Sequence, residues 1–272
     1  MFIAEIGINH NGDLYEAKKL IKMCKDAGVN VVKFQKRTPD LCVPKEKKEE
    51  MKHTPWGEMT YLDYKKRIEF EREEYDEIDK YCKELKIQWT ASVWDIKSLF
   101  FISQYDVPFI KIASACITDT MLLTEINKLR KPVIISIGMS TEEEMANAME
   151  ILSDCEVAIL HCNSSYPAND DELDLAYIDE LKVKHPTRKI GYSGHELGIG
   201  ACITAKAMGA EIIERHVTLD KNMWGTDQSA SLEYDELKEM INIINKVDIW
   251  VGKPRLKVYD SEKKVKEKLR MY

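Results

Sequence analysis

The chain has 272 residues, 44% of them apolar and 32% charged, a size and balance suited to one large α/β domain with its own core. Its net charge of −7 argues against a nucleic-acid backbone as partner, although 40 Lys and Arg remain for local anionic pockets. Seven cysteines without CxxC spacing read as reduced core thiols, and with no leader-like or membrane-length apolar run the chain is expected to be soluble and cytoplasmic.

Short apolar runs at 2–8, 29–34, 87–92, 109–113, 132–137, 156–161, 189–193 and 211–217 predict strands. Helix-period stretches follow them, for example 14–27, 141–152 and 199–208. Near-continuous apolar strands imply burial on both faces, as parallel sheets require. Eight such units predict a (β/α)8 TIM barrel over 1–250, a single catalytic domain, with 251–272 as a terminal helix or linker-like tail. An open doubly wound sheet is the rival. Residues 36–66, charged and punctuated by Pro39, Pro44, Pro55 and Gly57, break the rhythm and read as a long loop acting as a lid. Ser140-Thr141-Glu142-Glu143-Glu144 looks like a capped helix start, and Gly28 and Gly209 look like helix ends.

A barrel carries its site at the C-terminal ends of its strands. Lys33 and Lys111 interrupt apolar strands, where desolvating an ammonium needs a compensating anion. With Ser114, Ser136 and Ser193 at neighbouring strand ends they read as a phosphate or carboxylate cradle. Neither GxxxxGK[ST] nor GxGxxG occurs. His195 and His216 follow adjacent strands, with Asp227 shortly after, and together favour a metal site. His161 suits a structural role equally well, and His185 reads as solvent-facing. Glu5, inside the first strand, reads either as a general base or as an ion-pair partner of a lysine.

The run Ala4-Glu5-Ile6-Gly7-Ile8-Asn9-His10-Asn11-Gly12 resembles the opening of the sialic acid synthase (N-acetylneuraminate synthase) family. Val32-Lys33-Phe34-Gln35, Lys111-Ile112-Ala113-Ser114, Gly191-Tyr192-Ser193-Gly194-His195 and Ile213-Glu214-Arg215-His216 continue the similarity in order. The resemblance implies a transferase that condenses phosphoenolpyruvate with an open-chain sugar aldehyde, N-acetylmannosamine or a related aldose, and releases phosphate. It implies Mn²⁺ or Mg²⁺ on His195 and His216, and phosphoenolpyruvate on Lys33, Thr90, Lys111, Ser114, Ser136, Ser164 and Ser193. It further implies Glu5, Lys33, Gln35, Tyr166 and Asp227 at the reacting carbons, and Gln35, Cys116, Tyr166, Asp227 and Gln228 against the acceptor. A homodimer is implied too, with no nucleic acid or membrane partner.

Three departures bear on the acceptor side. Cys116 stands where members commonly carry an acid, and Gly194 where they usually carry Asp. Typical members also continue into an antifreeze-like domain that lends an arginine to a neighbouring subunit, whereas this sequence reads as the barrel alone. The alternatives are a 3-deoxy-octulosonate or heptulosonate-type synthase acting on a sugar phosphate, and a non-catalytic sugar-binding barrel.

Overall fold

Parallel pairing carries the chain around a closed ring in the computed structural model, which describes residues 1–254 and 256–270. The barrel strands are β1 (Phe2–Gly7), β2 (Val31–Lys36), β5 (Gln88–Val93), β6 (Ile110–Ile112), β7 (Val133–Ser136), β8 (Val157–His161), β9 (Ile190–Gly194) and β10 (Ile212–His216). They close in the order β1-β10-β9-β8-β7-β6-β5-β2. The expected barrel is observed, and the open sheet is excluded by the β1–β10 pairing of Phe2 with Ile213 and Glu5 with His216.

The helices between strands bury one face each and supply their own ends. In α1 (Leu14–Ala27) the Asp13 carboxylate accepts from the backbone of Tyr15 and Glu16. Gly28, at φ 95°, closes its far end in the left-handed region that glycine enters without penalty. In α7 (Glu142–Ile151) Thr141 and Glu144 form a reciprocal capping box. Two apolar layers result. One, including Ala4, Leu20, Val32, Ile112 and Ile213, lies between strands and helices; a smaller one fills the barrel with Ile3, Val31, Phe109, Ile134, Ala158, Leu160 and Ile212.

The 36–66 stretch is more ordered than the expected loop. It holds the short helix α2 (Pro39–Cys42) and an antiparallel hairpin of β3 (Met51–Thr54) and β4 (Gly57–Thr60), which leads into α3 (Tyr61–Ile68). Trp56 at the hairpin tip packs edge-on against Trp224, ring centroids 5.6 Å apart, and Tyr64 does the same at 5.2 Å. The excursion is thereby fastened to the loop after β10. At the C-terminus α10 (Tyr234–Val251) packs on the barrel, whereas α11 (Asp260–Leu269), within the expected tail, buries none of its residues. Residues 255, 271 and 272 of that tail lie outside the described residues. Among the described residues no helix is long and apolar enough to cross a membrane.

Candidate active site

Strand periodicity of two builds the site in layers. Ile3, Val31, Phe109, Ile134 and Ile212 form the inner apolar layer. Two residues further along the same strands stand Glu5, Lys33, Lys111, Ser136 and Glu214, all buried, joined by Ser193. Two residues beyond these come Gln35, His195 and His216. Arg37 and Trp94, one step further, form the rim, with the guanidinium 3.9 Å from the indole centroid. A cavity of about 150 Å³ opens among the two polar layers, with Trp94 in its lining.

The charged layer is paired within itself. Lys33 Nζ lies 2.6 Å from Glu5 Oε2 and 3.6 Å from Glu214 Oε1, and Lys111 Nζ lies 4.0 Å from Glu214 Oε1. Lys111 donates to Ser136 Oγ at 2.6 Å and to the Ile112 carbonyl at 3.0 Å, while Ser193 Oγ donates to Glu214 Oε1 at 3.1 Å. Burial raises the pKa of Glu5, an effect that Lys33 only partly offsets. Burial also works against charge on Glu214, but Lys111 and Lys33 outweigh it and hold that carboxyl below its usual range. For Lys33 the carboxylates outweigh burial and raise its pKa; for Lys111 burial wins and lowers it. Glu5 is therefore the carboxyl most ready to take a proton, and Glu214 the one most firmly ionised.

The two imidazoles are held from behind. Arg215, between Glu214 and His216, points away from the cavity and pairs with Glu196. It also donates to the Glu196 carbonyl at 2.7 Å and the Ala230 carbonyl at 3.2 Å, and Tyr192 donates to Glu196 Oε2 at 2.8 Å. This buried cluster locks the segment after β9 to the end of β10. It also explains Gly194: a β-carbon there would lie 2.6 Å from Glu196 Oε2 and 2.9 Å from the Tyr192 ring, leaving no room for aspartate.

His195 Nδ1 faces the Asn163 carbonyl at 2.5 Å, so it carries the proton and leaves Nε2 to accept from Tyr166 Oη at 3.0 Å. The His216 ring lies 5.6 Å from that of His195, with Nδ1 buried, unpartnered and 3.9 Å from Asp227 Oδ2. Burial pushes both imidazoles down to about 4, which keeps them neutral with lone pairs available. That donor chemistry fits a divalent ion. Among the described residues no group of three or more His, Cys, Asp or Glu is arranged around a metal position, so the pair would leave the remaining positions to water and substrate.

The cavity gathers Glu5, Lys33, Gln35, Lys111, Ser114, Ser136, Ser164, Tyr166, Ser193, His195 and His216. Asp227 sits at its edge beside His216. Three expected residues are not in it. Thr90 Oγ1 is spent on the Phe109 carbonyl at 2.8 Å, and Ser92, two residues on, lines the cavity instead. Cys116 is buried off the cavity in a short 3-10 turn, its thiol pushed up to about 11 by burial. Gln228 is buried beneath the loop, bonded to Thr218 and the Asn9 carbonyl, and has no free amide for a sugar. Sequence reasoning passed over Glu214, whose signal was a second acid in an apolar strand. It also passed over Arg37 and Trp94, which only the period-two count from Lys33 and Ser92 locates.

A family model described as the NeuB family matches residues 20–255. The chain belongs to the NeuB family. Human N-acetylneuraminate-9-phosphate synthase is 37% identical over 272 residues, covering 98% of this chain and 75% of that protein. N,N'-diacetyllegionaminic acid synthase of Campylobacter jejuni is 35% identical, covering 97% of this chain and 81% of its own length. The crystal structure of the N-acetylneuraminic acid (sialic acid) synthetase from Leptospira borgpetersenii, in complex with citrate, superposes with a TM-score of 0.87 at 30% identity, covering 100% of this chain and 92% of that one. The resemblance read from the motifs is thus borne out along nearly the whole chain. This NeuB-family member is an enzyme of the sugar-acid synthase type, and the non-catalytic alternative is set aside.

Proposed function

We propose that this protein condenses phosphoenolpyruvate with an open-chain sugar aldehyde to a sialic-acid-type 2-keto-3-deoxy sugar acid, releasing phosphate. One observation carries the reading: two lysines and two imidazoles, far apart in sequence, line one small cavity at the mouth of the barrel.

In this reading Lys33 and Lys111 act as point charges on the phosphate and carboxylate of phosphoenolpyruvate, with Ser114, Ser136, Ser164 and Ser193 as fixed donors. His195 and His216 are the residues that would hold a divalent ion, which when bound supplies Lewis acidity to an aldehyde oxygen. Tyr166 and Asp227, beside the imidazoles, face the acceptor. The enol C3 attacks the aldehyde carbon and forms the new carbon–carbon bond, and positive character develops at C2. Water adds there, Glu5 takes its proton, and the tetrahedral centre expels phosphate. Holding both reactants in one mouth supplies the rest by positioning.

The test is phosphate release from phosphoenolpyruvate with a panel of aldoses, with and without Mn²⁺, and mass spectrometry of the product. Metal-dependent release with at least one aldose supports the reading. Absence of release with every acceptor defeats it.

A further inference from the structure

Glu5 offers both of its oxygens to fixed donors. Lys33 Nζ lies 2.6 Å from Oε2, and Gln35 Nε2 donates to Oε1 at 2.9 Å. A side chain at position 7 would crowd the second bond, since a β-carbon on Gly7 would lie 3.1 Å from Glu5 Oε1 and 3.2 Å from Gln35 Nε2. The two donors set the plane of the carboxylate only while the Gln35 amide presents its nitrogen and not its oxygen.

A glutamine amide has nearly the same shape either way round, so its neighbours decide which end faces where. Here the deciding neighbour is Arg37. Its guanidinium carries donors only and donates to Gln35 Oε1, which leaves Nε2 as the end that meets Glu5. The guanidinium is itself pinned. Its carbon lies 3.9 Å from the centroid of the Trp94 ring, and Trp94 Nε1 donates to Ser92 Oγ at 3.2 Å. The Arg37 backbone N–H donates to Glu69 Oε1 at 3.0 Å, and that of Thr38 to Asp95 Oδ2 at 2.7 Å. Stability does not account for this placement. Among the described residues no carboxylate oxygen lies within 4.0 Å of the Arg37 guanidinium, and Arg37 Nε is buried without an acceptor. An arginine placed for stability would pair with a carboxylate, whereas this one donates to a neutral amide.

We propose that Arg37 is a positioning residue for the condensation, orienting the Gln35 amide so that Glu5 stays aimed at the reacting carbon. The inference rests on the condensation proposed above, in which Glu5 takes the proton of the added water. Arg37 does not line the catalytic cavity and acts through Gln35. Without Arg37 the amide is free to turn. Once turned, it sets an acceptor oxygen against a carboxylate, and Glu5 loses its second anchor. The loss falls on the chemical step, because the anionic groups of phosphoenolpyruvate have their own lysines and serines.

The test is a double-mutant cycle of Arg37→Met, Gln35→Met and the pair, read as kcat and KM of phosphate release. Arg37→Met keeps an aliphatic stem on the indole; Arg37→Ala replaces it in the cycle should its melting temperature fall. The expected result is a kcat lower by about five- to twentyfold, with the KM for phosphoenolpyruvate within about twofold of wild type. In the Gln35→Met background the same change should cost less than about twofold, because the residue it acts through is gone. The orientation is also read without turnover, from the Gln35 side-chain amide resonances in NMR spectra, assigned by their loss in Gln35→Met and expected to shift in Arg37→Met. An unchanged kcat in Arg37→Met, a loss of equal size in both backgrounds, or unmoved Gln35 resonances overturn the positioning role while the condensation stands. If the wild type turns over no aldose, the condensation reading falls instead, and the spectra alone decide whether Arg37 sets the amide.

Discussion

Glu5 and Lys33 are register partners on adjacent strands, and the ammonium of one lies 2.6 Å from the carboxylate of the other with both side chains almost wholly buried. Lys33 also faces Glu214, so removing it strands Glu5 at low dielectric and leaves Glu214 with Lys111 alone as cation. Lys33→Met is expected to lower stability by about 3–5 kcal/mol at neutral pH. Adding Glu5→Gln should recover part of that loss without recovering activity. Urea unfolding of the two variants measures it; equal losses would mean that the pair is not coupled.

Lys111 reaches Glu214 only at 4.0 Å and spends its short contacts on Ser136 and a carbonyl. It is the freer of the two ammoniums to meet an incoming anion. Lys111→Ala should raise the KM for phosphoenolpyruvate by about ten- to a hundredfold, with a smaller change in kcat. An unchanged KM would remove Lys111 from the anion cradle.

Much of this arrangement was legible before any coordinates. Lys33 and Lys111 stood out because ammonium groups do not belong in apolar strands, and His195 and His216 because adjacent strand ends converge. The hairpin of residues 51–60 was not legible, since its alternation is polar on both faces and its strands are four residues each. Thr90 was misplaced by one pleat: it and Ser92 share a face, and only the hydrogen bond to Phe109 shows that Thr90 is the deeper one. Gln228 looked like a reading group because its loop is polar, but folding turns that amide inward onto Thr218. Arg37 carries no signal in one dimension, because only the fold brings it against Gln35 and Trp94.

His216 and His195 differ in what they hold. His195 bonds to Asn163 and Tyr166, whereas His216 Nδ1 is buried with no partner. Removing the His216 ring therefore breaks no hydrogen bond at Nδ1 and costs only its packing beside Tyr166 and His195. His216→Ala should abolish metal binding in calorimetry and phosphate release while remaining cooperatively folded, and His195→Ala should also lose stability. Chelation of the wild type should stop turnover, and added Mn²⁺ or Mg²⁺ should restore it. Unfolding of His216→Ala would mark that residue as scaffold instead.

His10 supplies a pH signature separate from the reacting groups. It is buried, stacks on Phe70 with ring centroids 4.0 Å apart, and its Nδ1 accepts from the Gly12 N–H at 3.0 Å, a bond only the neutral ring makes. Burial pushes its pKa from 6.5 down to about 3. The sign follows from proton counting: below pH 6.5 the unfolded chain binds a proton that the folded chain refuses, so acid favours unfolding. This contribution is fully present above pH 6.5 and is lost as pH falls toward 3, with a slope of about 1.4 kcal/mol per pH unit. Between roughly pH 6.5 and 4.5 the wild type should lose about 2–3 kcal/mol more than His10→Gln, which has no proton to take up. Urea unfolding of both proteins across that range checks it, and parallel stability curves would show that the folded protein protonates His10 as readily as the unfolded chain does.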